Sequence, residues 1–292
     1  MRTAALSISG EYRTFHVTYP SFVHQLLKPN PRYIFDVVLA SDAPPPPGMI
    51  KTLQLVPRVR NVTFVRATQN ELSASCQQRT REQTQQHSIF HAMGKLLESW
   101  RLLSARAAYD VYCATRFDLS FAGPIVLDSL DVSRTLYVAN KEFVPRTDLI
   151  HRWFDLDTCI PDYIAIADRR RIGIWMTRQR AYAEMWCVHG DRPLNRSPGV
   201  EPAHSLSQSP EAFLYRYLHM HGLHVGQVDR SGRPMDDVQL LPDDNFVKLS
   251  LWGVRHDPRV VERARRAWLE VARAQAEKAA KAAHAVETSR PT

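Results

Sequence analysis

The sequence has no long apolar run, no CxxC pair and no internal repeat. No stretch approaches the ~20 apolar residues that a membrane-spanning helix needs, and the N-terminal apolar segment is too short for a secretion signal. A soluble, cytoplasmic protein is therefore expected. Cys76, Cys113, Cys159 and Cys187 lie far apart, which excludes zinc-knuckle spacing and a disulfide framework and reads as reduced thiols. A basic stripe interleaved with aromatics is also missing, as is any recognisable RNA- or DNA-binding motif, and this argues against nucleic acid as a partner.

What is present is an ordinary globular composition, 44% hydrophobic and 23% charged over 292 residues. That is enough for one large α/β domain, with limits expected at 1–256, followed by a basic helix and tail at 257–292. The net charge of +8 calls for an anionic partner: nucleic acid, an acidic membrane face or a phosphate-bearing small molecule.

The most informative stretch is 87–121. Ile89, Met93, Leu96, Leu97, Trp100 and Leu103 recur at the spacing of one helical face. Then Val111-Tyr112-Cys113-Ala114-Thr115 reads as a short buried strand, and Arg116 and Asp118 stand at its exit. Ligands of open α/β sheets bind beyond the carboxyl ends of the strands, so this charged pair is a site candidate; the plainer alternative is an ion pair closing a surface turn. Upstream, residues 3–9 read as a first strand ending in Ser9-Gly10, where glycine permits a tight turn and close approach to a ligand. Arg13 follows as a phosphate or base contact, or as a solvated loop arginine. Pro20 is expected to open a helix, and residues 34–40 to form a second, parallel strand closing on Asp42, which either hydrogen-bonds a ribose or base or forms a turn before the prolines at 44–47. Residues 62–65 make a third strand, and 69–86 a mobile loop above the site. On the central helix, Lys95 points at a diphosphate, pairs with His91 or faces water.

Residues 135–138 and 163–167 read as further strands. The latter carries Asp168 to its carboxyl end, beside Arg169-Arg170-Arg171. Between them, 140–161 is an irregular passage in which Trp153 and Phe154 stack on a sugar ring or join the core. Residues 175–186 read as a helix. Ser209-Pro210-Glu211 is a helix start in which Glu211 serves the dipole or a site. Late strands are expected at 224–228 and 246–251.

The order of these features resembles a group of glycosyltransferase-like proteins with the GT-A fold, found in polysaccharide-building gene sets and large viruses. The matching residues are Ala4-Ala5-Leu6-Ser7-Ile8-Ser9-Gly10-Glu11-Tyr12-Arg13-Thr14-Phe15 at the start and Tyr109-Asp110, the strand, then Arg116-Phe117-Asp118-Leu119-Ser120-Phe121 at the centre. Asp168-Arg169 through Gly173, and Pro210-Glu211 through Leu223, follow in the same order. The resemblance implies a GT-A-like, mostly parallel sheet flanked by helices, with a C-terminal helix. It also implies transfer of a sugar from a nucleotide-diphosphate donor to a glycan or lipid-linked acceptor, in polysaccharide biosynthesis.

Such enzymes usually bridge the diphosphate with Mn²⁺ or Mg²⁺ held by Asp-x-Asp. Asp118 occupies the place of the last carboxylate, and His256 is a candidate C-terminal metal ligand. Arg116 stands where the first Asp would be, removing one negative charge and offering a direct phosphate contact. Ser9, Gly10, Arg13, Asp42, Lys95 and Arg116 would hold the donor. Asp168, with Glu211 behind it, would serve as base on the acceptor hydroxyl. The alternatives are a GT-A-like protein that binds sugar nucleotide without turnover, and a basic protein that binds nucleic acid or another anionic surface. The helix from Asp257, with a +3 excess across 255–287, either packs through Trp268 and frays, or makes peripheral membrane contact.

Overall fold

The computed structural model of the protein describes residues 1–67, 84–106, 108–121, 123–138, 163–189, 213–214, 217–218, 220–223, 238–240 and 246–248. At the centre lies β1 (Arg2–Ser9), whose Ala4, Leu6 and Ile8 face one apolar layer and whose Ala5 faces the other, all buried. Burial on both faces is what a central strand of a covered α/β sheet requires. Beside it run β2 (Tyr33–Ser41) and β4 (Val111–Arg116), both parallel to β1, and β3 (Val59–Arg66), parallel to β2. Beyond β4 come β7 (Ile164–Ala167), β6 (Leu136–Val138) and the edge strand β8 (Val238–Leu240), giving the order β3-β2-β1-β4-β7-β6-β8. Because the chain builds outward from β1 to β3 and then crosses back to β4, the topology reverses between β1 and β4.

The sheet is mostly parallel but mixed: of its seven described strands only β7 runs against the rest. Strand β7 runs antiparallel to both β4 and β6. Its run of buried residues locates the strand in the sequence, but an apolar run carries no information about direction. A second, two-stranded sheet pairs β5 (Leu119–Phe121) with β9 (Phe246–Lys248), so the late strand expected from Phe246 belongs to a separate small sheet.

Two helical layers cover the main sheet. On one face lie α1 (Phe15–Phe22), which continues as a π-helical turn through Val23–Leu27, and α2 (Met49–Gln54). Pro20 lies inside α1 and does not begin it. The amide that proline lacks would have bonded the carbonyl of His16, an exposed residue, so water can serve that carbonyl and the interruption costs little. On the other face lie α3 (Thr84–Ser104) and α4 (Arg169–His189), with Met93, Leu96, Trp175 and Tyr182 in one buried cluster. The two helices meet at Gly173, where a β-carbon added to the glycine would stand 2.7 Å from Cζ2 of Trp100. Gly173→Ala is therefore expected to push the indole away and cost about 1–3 kcal/mol, as overpacked positions do, measurable by chemical denaturation.

No helix among the described residues is long and apolar enough to cross a membrane. The expected strand at 224–228, the acceptor passage 140–161 and the terminal helix from Asp257 lie outside the described residues. So does the loop expected at 69–86, except for its last three residues, which already belong to α3.

Candidate functional site

The carboxyl ends of β1, β2 and β4 form one edge of the sheet. The ladders pair Ser9 with Ala40 on one side and with Arg116 on the other, so Asp42 and Arg116 leave the sheet two strands apart, roughly 10 Å by strand spacing. This is the point where strand order reverses, the usual place for a ligand crevice in an open α/β sheet.

Gly10 turns the chain away from β1 with φ +125°, a conformation that a side chain would strain, and its amide donates to Ala40 O at 3.1 Å. Tyr12, in the 3₁₀ turn Tyr12–Thr14, lies with its ring 4.5 Å from that of Phe117. Its hydroxyl is directed at Ser41, and burial pushes its pKa up to about 12, leaving it a neutral phenol. Phe117 is fully buried, packs edge-on against Phe15, and its amide donates to Ser9 O at 3.2 Å. These rings fix the ends of β1, β2 and β4 relative to one another from below. Arg13 follows Tyr12 in the same turn; its side chain lies outside the described residues.

Above this floor are two ion pairs. Arg116 grips Asp118 with both arms of the fork, Nε to Oδ1 and Nη2 to Oδ2, each 2.8 Å. The pair is partly exposed, 29% and 22%, and the guanidinium lies 5.9 Å from the centre of the Tyr163 ring, which continues the row across the sheet from β4. The second pair joins Lys95 Nζ to Asp42 Oδ2 at 2.6 Å, with His91 Nδ1 4.0 Å from the other oxygen. Lys95 is thus neither solvated nor paired with His91. Its side chain is only 6% exposed, because α3 is covered by the sheet on one side and by α4 on another, and it emerges beside the half-exposed Asp42. One turn along the same stripe, Ser99 donates to Ser7 of β1 at 2.7 Å. Arg66 Nε also reaches the backbone oxygen of Asp42 at 3.2 Å. Lys95→Met is expected to cost only about 1 kcal/mol, since the abandoned Asp42 remains half in water, and to lower nucleoside diphosphate affinity a few-fold. Denaturant titration and calorimetry read the two effects separately.

Asp168 does not join this cluster. Strand β7 is antiparallel to β4, pairing Ala167 with Tyr112, so Asp168 emerges at the opposite edge of the sheet. There it caps α4, accepting from the Arg171 amide at 2.8 Å and from Arg171 Nη1 at 2.7 Å. The structure therefore does not bring Asp168 together with Asp42, Lys95 and Arg116. Glu211 and His256 lie outside the described residues.

Both oxygens of Asp118 are taken by a guanidinium, and the described residues contain no group of three His, Cys, Asp or Glu side chains that could hold a cation. The edge instead presents Lys95, Arg66 and Arg116 against Asp42 and Asp118, an arrangement suited to an anion bearing hydroxyl groups. Tyr12, Ser41, Phe117 and Tyr163 were not singled out as site residues by sequence pattern. Sequence position pointed toward three of them, Tyr12 beside Arg13, Ser41 before Asp42 and Phe117 between Arg116 and Asp118, but not toward Tyr163. Compared with known proteins, the chain matches no protein-family model and no curated protein.

Proposed function

We propose that the protein is a glycosyltransferase that takes a sugar from a nucleotide-diphosphate donor bound across the carboxyl edge of β1, β2 and β4. The observation that carries this reading is the convergence of Gly10, the Lys95–Asp42 pair and the Arg116–Asp118 pair at the point where strand order reverses. In this reading Asp42, oriented by Lys95, accepts hydrogen bonds from donor hydroxyls. The Gly10 turn lets the backbone approach the phosphates, and Arg116 meets the charge that builds on the diphosphate as the sugar–oxygen bond breaks. Asp118 holds the guanidinium in place until the donor arrives. The resemblance in sequence supports the same assignment and supplies the sugar chemistry.

A second reading, binding of sugar nucleotide without turnover, draws support from one feature: Asp168 lies at the far edge, leaving the crevice without the acceptor base expected of it. One experiment separates the two. Nucleoside diphosphates and their sugar conjugates are titrated into the protein, and release of free nucleoside diphosphate is followed with and without a hydroxyl acceptor. Micromolar binding with acceptor-dependent release is expected. Binding without release would favour the second reading, and no binding at all would sink both.

A further inference from the structure

Helices α3 and α4 and the helical residues among 213–220 enclose an open cleft of about 500 Å³ on the side of the molecule away from α1. Its lining is Trp100, Arg169, Arg170, Gly173, Ile174, Thr177, Tyr217 and His221. Arg169 and Arg170 open α4 directly after Asp168, so the cleft begins where β7 leaves the sheet beside Tyr112 near the entry end of β4. The candidate donor site lies at the exit end of β4. Along a six-residue strand this separates the two ends by roughly 15 Å, and α3 runs past both, carrying Lys95 to the donor site and Trp100 to the cleft.

Three features of the lining bear on what it holds. Its charged groups are all of one sign: two guanidiniums and no carboxylate, at the positive end of a 21-residue helix. Arg169 spends one arm on Ser104 O at 2.7 Å, whereas Arg170 is exposed and makes no ion pair or hydrogen bond with any described residue. The walls are rings: Trp100, held against bare Gly173 and edge-on to Tyr112, and the Tyr217–His221 pair, 4.5 Å apart and edge-on. Finally, the cleft is open and carries two hydroxyls, those of Tyr217 and Thr177, the latter donating to Gly173 O at 2.8 Å. Rings offer faces and edges to the C–H surface of a sugar, adjacent guanidiniums pair with carboxylates, and openness admits a chain that continues at both ends.

We propose that this cleft binds an acidic glycan chain through its uronic-acid carboxylates, as a holding site remote from the crevice. The choice of a sugar rests on the transferase reading above; the choice of an anion rests on the lining alone. Arg170 meets the carboxylate and the ring-lined wall takes the sugar face. A growing acidic polymer held here stays attached while its end is worked on at the other edge of the sheet.

The test uses the full chain, calorimetry, and three probes: a short oligouronate, the same oligosaccharide with its carboxyls reduced to alcohols, and a nucleoside monophosphate. The oligouronate is expected to bind in a salt-sensitive manner, the reduced form at least tenfold more weakly. Arg170→Glu is expected to lower oligouronate affinity tenfold or more while leaving nucleoside diphosphate affinity unchanged; Arg116→Ala is expected to do the reverse. Arg170→Gln, which removes the charge without reversing it, should fall between. Because Arg170 is exposed, both variants should keep the wild-type melting temperature. Equal binding of the reduced oligosaccharide, or uronate binding that survives Arg170→Glu but is lost in Arg116→Ala, would overturn the proposal by removing the anion or the cleft. A nucleoside monophosphate that binds more tightly than the oligouronate and is lost in Arg170→Glu would overturn it too, making the cleft a nucleotide site. If the proposal fails in any of these ways while nucleoside diphosphate binding is retained and remains sensitive to Arg116→Ala, the donor-site reading stands.

Discussion

Replacing Arg116 with alanine is expected to weaken nucleoside diphosphate binding by roughly 10- to 100-fold, the worth of a charge-assisted, two-pronged contact of about 1.5–3 kcal/mol. Little stability should go with it. The Arg116–Asp118 pair is a quarter exposed and held within a turn, and pairs of that kind contribute about 0–1 kcal/mol. Affinity and melting temperature therefore separate a ligand contact from a turn-closing pair: an unchanged affinity would reduce Arg116 to the latter. Arg116→Lys is expected to recover only part of the loss, because an ammonium cannot match the fork of the guanidinium. Asp118→Ala frees the same guanidinium; transfer is expected to be abolished while binding persists, since Arg116 then lacks the partner that aims it. The same reasoning fixes the behaviour toward metals. With a guanidinium on both oxygens of Asp118, chelation by EDTA is expected to leave nucleoside diphosphate affinity within about twofold. A drop of a hundredfold on chelation would move the diphosphate charge from Arg116 to a cation.

Much of this edge was legible in the sequence because strand ends are marked by local chemistry. A buried run followed by Ser9-Gly10, or by Arg116-Phe117-Asp118, states both where the strand stops and that something polar follows. The helix α3 was legible from its apolar spacing for the same reason. What pattern cannot supply is direction and depth. The run at Ile164–Ala167 is as apolar as β4, yet it enters the sheet reversed, and that reversal takes Asp168 to the far edge. Lys95 lies off the apolar face of α3 by any helical count. It is nonetheless buried, because this helix is covered on more than one side and accommodates polar groups where partners await them: Asp42 for Lys95, Ser7 for Ser99. The floor of the site was hidden differently. Tyr12, Phe117 and Tyr163 come from three distant parts of the chain, and only the register of β1, β4 and β7 brings them under the same crevice.

The largest effect on stability is expected at Asp36, a residue remote from every predicted site. Its carboxylate, 3% exposed, lies in the middle of the sheet layer and accepts from Arg60 Nε at 2.9 Å, Asn61 Nδ2 at 2.9 Å and the Tyr109 hydroxyl at 2.8 Å, joining β2 and β3 to the segment that precedes β4. Burial works to raise the pKa of this carboxyl, but the hydrogen bonds from Arg60, Tyr109 and Asn61, with the charge of Arg60, outweigh it and hold the group below the usual carboxylate range. The Tyr109 hydroxyl is pushed upward, first by burial and then by donating to Asp36, so it remains a proton donor at neutral pH. Asp36→Ala strands these donors around a cavity and is expected to cost roughly 3 kcal/mol; Asp36→Asn, which keeps the shape but not the charge, is expected to cost less. The pH dependence has a definite sign. A carboxyl whose pKa is depressed in the folded protein contributes its full stability above the unfolded value, near 4, and loses it as pH falls through the lower folded value. The stability gap between wild type and Asp36→Asn, measured by urea titration, should therefore be constant from about pH 7 to 5 and close progressively below about pH 4. A gap that stays the same down to pH 3 would show that the carboxylate's charge contributes nothing and that the network is held by shape alone.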